Sequence, residues 1–125
     1  EKAESLWLKL FENFYPKGLT TIYGVFDKFD GHYIGHAAIR PRPTKHDEWE
    51  ISYMLRTEEW GKGFATEIGQ KLVEFGFKEL NLKAVYATVD TDNFGSIRVL
   101  EKIGMRHIRD EYDELGKFYL YGIML

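Results

Sequence analysis

The stretch Trp60-Gly61-Lys62-Gly63-Phe64-Ala65-Thr66-Glu67 constrains this chain more than any other. It separates a strand-like segment, residues 49–55, from a helix-like one, residues 64–80. Two glycines one residue apart let the backbone turn sharply at such a junction. They also let N–H groups at a helix N-terminus converge on an anion. The fold must therefore place a strand end, a glycine loop and a helix start side by side. Taken alone, Gly-x-Gly is equally compatible with a plain turn.

Composition narrows the class. At 125 residues the chain is expected to form one domain, 1–125, long enough to bury its own core. An apolar fraction of 44% and an aromatic fraction of 16% exclude a disordered chain. With a net charge of -3 there is no basic surplus to hold nucleic acid, so no nucleic-acid partner is expected. No apolar run approaches the roughly 20 residues that a membrane helix needs, so no membrane partner is expected either. Cysteine is absent, which removes disulfides, thiolate nucleophiles and Cys-based zinc sites together. No signal-like segment is visible, and the default expectation is a cytoplasmic protein. The first residue is Glu1 rather than Met, so an N-terminal piece is expected to be missing.

Periodicity organises the rest. Leu6, Trp7, Leu10, Phe11 and Phe14 recur at helical spacing, and Pro16-Lys17-Gly18 stops that helix. Residues 20–29 and 32–40 read as strands joined by a two-residue hairpin turn at Asp30-Gly31. Pro41-Arg42-Pro43 breaks the second strand, and a polar loop leads into the third. After the glycine loop, Ala65, Ile68, Leu72, Phe75 and Leu80 form the apolar stripe of a helix packed on a sheet. Residues 84–89 read as a buried strand. Asp92-Asn93 starts a short helix with Ile97, Leu100 and Ile103 on one face, and Gly104 ends it. Residues 105–113 and 117–125 form a second hairpin across Glu114-Leu115-Gly116. This order predicts an α/β (α+β) fold: a mixed, mostly antiparallel sheet flanked by helices, with one parallel crossover. A ligand belongs at the carboxyl end of the third strand, beside the helix N-terminus.

Two motifs stand at a telling separation: the glycine loop, and Asn93-Phe94-Gly95-Ser96-Ile97-Arg98-Val99-Leu100-Glu101-Lys102-Ile103-Gly104-Met105. Together they resemble the GNAT superfamily of acetyl-CoA-dependent N-acetyltransferases, nearest its RimJ/RimL-like branch, which acetylates protein N-termini and has relatives acting on small amines. The resemblance runs from about Thr20 to the C-terminus. It implies a GNAT-like acyl-CoA N-acyltransferase fold with acetyl-CoA as co-substrate. Three departures stand out. The family loop begins with Gln or Arg three residues before its first glycine, where this chain has Glu58. Many relatives carry a tyrosine general acid seven residues after the helix-opening Asn, where this chain has Leu100. The family also has a first strand before its first helices, for which this chain leaves no room. Either residues are missing, or the member is shortened and exposes an edge strand.

Acetyl transfer from a thioester to an amine needs a held cofactor, a polarised carbonyl, a neutral amine and a protonated leaving thiolate. Backbone N–H groups of Gly61, Lys62, Gly63, Phe64 and Ala65 suit the diphosphate, helped by the helix dipole. Lys62 adds a point charge, or is a solvated lysine. Thr66 bonds a phosphate or caps the helix. By resemblance, Met54 and Leu55 pair through their backbones with the pantetheine arm, and one of their N–H groups polarises the thioester oxygen. Trp60, Asn93 and Lys102 complete the cofactor-binding set that the resemblance implies, with Asn93 on the pantetheine arm or acting as a helix N-cap.

Glu50 is the candidate general base. It lies four residues before Met54 on the same strand face, roughly 13 Å away. An ordinary outward carboxylate is the alternative, and Glu48 is the second choice. Ser96, one helical turn after Asn93, is the candidate to protonate the thiolate or orient the water that does. A plain first-turn serine is its alternative. Tyr53 and Tyr86 are fallback acids. His32 and His36 lie roughly 13 Å apart along a strand, His46 and His107 lack companions, and no metal is expected. Tyr112, Phe118, Tyr119 and Tyr121 read as sheet packing, an acceptor groove or a dimer contact, in a monomer or homodimer.

Two function classes follow. One is an N-acetyltransferase acting on a primary amine, with a protein or peptide N-terminal α-amine ahead of a polyamine or aminoglycoside. The other is a non-catalytic acyl-CoA-binding module that keeps the cradle and lacks the chemistry.

Overall fold

The computed structural model describes residues 6–10 and 21–125, with only the backbone given at 7–10 and at 21. The elements are β1 (Leu6–Leu10), β2 (Thr21–Asp27), β3 (Tyr33–Arg42), β4 (Lys45–Leu55), a 3-10 turn (Thr57–Glu59), α1 (Phe64–Lys78), β5 (Ala84–Asp90), α2 (Phe94–Ile103), β6 (Arg106–Asp113) and β7 (Gly116–Met124). The described strands make one seven-stranded sheet in the order β1-β2-β3-β4-β5-β7-β6. Only β4 and β5 run parallel, joined by the α1 crossover. The mixed, mostly antiparallel sheet expected from the sequence is therefore present.

Strand alternation assigns the faces. On β4, Ile51 is buried, and Trp49, Tyr53 and Leu55 pack against the same core. Glu48, Glu50, Ser52 and Met54 take the intervening positions and so the other face. Ile68, Leu72 and Val73 of α1 and Leu100 of α2 join Ile39, Val85 and Ala87 of the sheet in one cluster. Burying each such side chain contributes roughly 1.5–3 kcal/mol. Where α1 meets α2, a Cβ on Gly69 would collide with Ile103, so this glycine sets how closely the helices approach.

Three local expectations fail, each for a physical reason. Leu6, Trp7 and Leu10 do not start a helix. Residues 6–10 form β1, paired antiparallel with β2 from Leu6–Asp27 to Leu10–Tyr23. Leu6, Leu8 and Leu10 alternate as well as the helical set recurs, and the free edge of β2 supplies ladder partners that a short helix lacks. A strand thus precedes β2 after all and covers its edge. Phe11, Phe14 and Pro16-Lys17-Gly18 lie outside the described residues.

The second failure is the break at Pro41-Arg42-Pro43. β3 continues through Arg42, with Pro41 opposite Trp49, Arg42 opposite Lys45 and a register shift between them. A bulge tolerates the missing proline N–H, and the expected polar loop shrinks to a turn at Pro43-Thr44. The third is the two-residue hairpin. The loop spans residues 28–32, closed by Asp27 N–H to His32 C=O at 2.9 Å, with Gly31 at φ +77°. The Asp27 carboxylate accepts the N–H groups of Phe29 and Asp30, which stabilises the longer turn.

Candidate active site

The site begins as a gap in the sheet. β4 and β5 pair at Glu50–Tyr86 and diverge beyond it. The bond from Arg56 N–H to Ile34 C=O, 2.9 Å, sets the phase of the β3–β4 ladder. The peptide groups of Ser52 and Met54 therefore turn to β3, and those of Tyr53 and Leu55 turn to the gap. Leu55 C=O accepts the Trp60 indole N–H at 3.2 Å. Of the two residues expected to meet the pantetheine arm, Leu55 is the one whose N–H faces the gap, while Met54 is engaged in the ladder.

On one side of the gap lies a cleft of about 630 Å³. Gly61, Gly63 and Thr66 form one wall, and Asn93, Ser96 and Lys102 the other. Gly61 and Gly63 have φ of +77° and +83°, a region that excludes ordinary side chains at low cost, and nothing stands within 4 Å of where a Cβ would be. Gly63 is the N-cap of α1 and no side chain caps that helix. The first-turn N–H groups of α1 thus point into open space at the positive end of the helix dipole. Thr66 is not the cap, which removes one of its two expected roles. Lys62 is not simply solvated, because its Nζ lies 3.2 Å from the buried Glu59 carboxylate. Asn93 caps α2, its Oδ1 accepting Ser96 N–H at 3.2 Å, which leaves its amide NH₂ group available to a ligand.

On the other side lies a cleft of about 500 Å³ with Glu50, Asp90, Glu111 and Asp113 in its lining against the single cation Arg42. Tyr112 and Phe118 add aromatic surface. A constriction of about 190 Å³ that includes Glu50, Tyr53, Ser96 and Leu100 lies where the two meet. Ser96 lines all three spaces, and Asn93 lines both larger ones. Leu100, at the position of the family tyrosine, is 3% exposed and belongs to the core. Burial pushes the Tyr53 phenol up, keeping it protonated.

Glu50 does not stand alone. Its Oε2 accepts Arg40 Nε–H at 3.3 Å, and its Oε1 lies 3.7 Å from Arg42 Nε, a buried donor without a hydrogen-bond partner. Arg42 is 4% exposed and also bonds Glu48 (2.7 Å) and Glu111. Glu48, the second-choice base, is further held by Arg109 at 3.1 Å. The Glu111 hydrogen bonds, then those of Glu48, hold the Arg42 guanidinium above even its ordinary value. In return, Arg42 first and Arg109 second hold the Glu111 carboxyl below the usual carboxylate range.

The expected aromatic group divides. Tyr112 and Phe118 wall the second cleft. Tyr119 and Tyr121 pack edge-on against the His107 ring, and His107 pairs with Asp110 at 2.7 Å. Tyr86 lies over Gly122, where a Cβ would touch its ring. Sequence reading missed Arg42, Glu59, Asp90 and Glu111. Arg42 was read as part of a strand break, and the other three carry no spacing signal.

Residues 1–106 match the family model described as an acetyltransferase (GNAT) domain. The chain is 40% identical over 73 residues to the uncharacterized N-acetyltransferase YnaD of Bacillus subtilis (strain 168), covering 58% of this chain and 42% of that protein. It is 34% identical over 59 residues to the spermidine N(1)-acetyltransferase of Escherichia coli (strain K12), covering 47% of this chain and 32% of that protein. A GNAT-family acetyltransferase structure from Bacillus anthracis superposes with a TM-score of 0.73 at 27% identity, over 82% of this chain and 65% of that one. The chain spans about half the length of the curated relatives it matches.

Proposed function

This chain belongs to the GNAT acetyltransferase family, and from that premise we propose that it transfers the acetyl group of acetyl-CoA directly to a primary amine. The observation that carries the reading is the gap between β4 and β5. It joins a backbone-built anion cradle to an acidic cleft through one constriction lined by Glu50 and Ser96. The α1 amides around Gly61 and Gly63 take the diphosphate, and the Asn93 amide meets the pantetheine arm. Leu55 N–H faces the thioester oxygen, where one preorganised donor is worth roughly 3 kcal/mol of barrier. Lys102 lies at the far wall of the same cleft, within reach of the nucleotide end.

The acceptor enters from the acidic side. Its ammonium competes with Arg40 for Glu50, and the released carboxylate takes the proton, directly or through one water. The amine nitrogen then attacks the thioester carbon, the C–S bond breaks, and the proton that the nitrogen sheds passes through the Ser96 hydroxyl, or a water it orients, to the thiolate. Arg40, Arg42 and Arg109 pair Glu50 and Glu111, and Asp90 and Asp113 add further negative charge to the lining, which favours an acceptor carrying a second positive charge, such as a polyamine. The N-terminal α-amine of a peptide, the preference of the RimJ/RimL-like reading, is the second candidate. Its pKa near 8 makes it the easier nucleophile to neutralise.

The test is CoA release with spermidine and with a short peptide bearing a free N-terminus, run on the protein and on Glu50→Gln and Ser96→Ala. Loss of about 10²–10⁴-fold in kcat for Glu50→Gln supports the base assignment. Unchanged turnover in both variants removes the catalytic assignments. Acyl-CoA binding with no acetylated amine means a binding module instead.

A further inference from the structure

Glu59 is a buried carboxylate in the wall of a cleft read as an anion site. Its side chain is 6% exposed, and it lines the cleft beside Trp60, Gly61 and Gly63. A buried charge is costly unless paired. Two basic side chains pair it, one at each carboxylate oxygen. Lys62 Nζ, inside the glycine loop, lies 3.2 Å from Oε1, and His32 Nε2, from the β2–β3 turn, lies 3.0 Å from Oε2. Neither contact belongs to the chemistry proposed above.

The surroundings of His32 explain why its protonation matters. Its Nδ1 meets Asp30 at 2.6 Å, and the Asp27 carboxylate stands within 4.8 Å in the same turn. The 3-10 turn presents Glu59, together with Glu58, which Arg56 holds at 3.2 Å. Three carboxylates thus surround His32, and Lys62 is the other cation on Glu59 among the described residues. A neutral imidazole donates through one nitrogen only, which leaves the second nitrogen's lone pair against a carboxylate. The imidazolium donates to both. The hydrogen bond to Asp30, with that to Glu59 behind it, holds His32 above its ordinary value of about 6.5.

We propose that His32 is a positioning residue and charge switch for the cofactor cradle. As imidazolium it cancels the Glu59 charge and leaves Lys62 available to the diphosphate. As neutral imidazole it leaves Glu59 to Lys62 alone, and the cradle, one positive charge poorer, holds an anion less tightly. This rests on the diphosphate reading of the glycine loop. The sign follows from the raised folded-state value. The His32–Glu59 tie is complete below about pH 6.5 and is lost as pH rises through the raised value, and affinity falls in the same direction.

The probe is dephospho-CoA, which lacks the monoester phosphate that titrates near 6, bound calorimetrically between about pH 6 and pH 9. For the wild type, Kd is expected to weaken about tenfold across that window, as for a charge removed a few ångströms beyond contact in a partly screened site. His32→Gln should be flat at the weak level, and Glu59→Gln flat at the tight level. His32→Arg should stay tight at high pH. The His32 ring resonances, followed by NMR, should titrate higher with ligand than without, a readout that does not depend on any variant folding. Parallel pH profiles for wild type and His32→Gln, or a His32 titration unmoved by ligand, overturn the switch while leaving the cradle in place. No binding at any pH removes the cradle and the switch together.

Discussion

The two clefts that meet at Ser96 are built from different materials. The proposed cofactor side is mostly backbone: two glycines in the left-handed region, a helix start without a side-chain cap and a strand edge that its neighbour abandons. The proposed acceptor side is mostly side chains: Arg42 from β3, Glu48 and Glu50 from β4 and Glu111 from β6, tied by ion pairs. A backbone site costs little desolvation and tolerates many sequences. A buried ion network is sensitive to every member, because removing one partner strands a charge. The fold around the cofactor side should therefore be robust to charge substitutions, which there alter affinity alone, and its binding sensitive to a single Cβ. The acceptor side should show the reverse.

The largest effect should come from Arg42→Leu, which leaves the buried Glu48 and Glu111 to share the half-exposed Arg109 and should lower stability by about 3 kcal/mol in a denaturant midpoint. The same variant sharpens a pH statement. The depressed Glu111 value means that its ion pair stabilises the fold above the usual carboxylate range and loses this as pH falls through the depressed value. Wild-type stability should thus decline on acidification with a steeper slope than Arg42→Leu. Equal slopes would show that Glu111 gains nothing from Arg42. If the two clefts are as separate as their construction implies, acetyl-CoA affinity in folded Arg42→Leu stays near that of the wild type.

A smaller and opposite result is expected for Gly63→Ala. Open space around its Cβ position limits the fold penalty to the left-handed strain, about 1–2 kcal/mol. That Cβ enters the cradle, so acetyl-CoA affinity should drop about tenfold or more, the value of one charge-assisted hydrogen bond. Wild-type affinity in this variant would break the comparison at its backbone half. Asn93→Ala should have the smallest effect, about 1 kcal/mol of stability for the lost cap. Because Asn93 lines both clefts, both Kd for acetyl-CoA and KM for the amine should rise. A change in only one would place it on that side alone.

Legibility in the sequence follows the same division. The glycine loop, the Asn93 cap and the Gly104 stop were readable because each is a local backbone requirement. Gly104 indeed ends α2 at φ +109°. The sheet class and the faces of β4, α1 and α2 were readable from periodicity. The strand at residues 6–10 was not, since its five residues satisfy both periods and a partner edge decided between them. Nor was Arg42 readable. Its burial comes from Glu48 on β4 and Glu111 on β6, which meet it from separate strands.

By itself, then, the sequence determined where the chain turns, which faces it buries and where a helix N-terminus is left open to an anion. Those features depend on φ preferences and on side-chain period, both properties of a few adjacent residues. Tertiary structure alone decided that Leu55 rather than Met54 offers its N–H. It also decided that Glu50 is held by Arg40 and approached by Arg42, and that Glu59 answers to both Lys62 and His32. Each of these is set by ladder phase or by the meeting of charges from separate elements. Charge pairing acts over a few ångströms of space, whatever the distance along the chain.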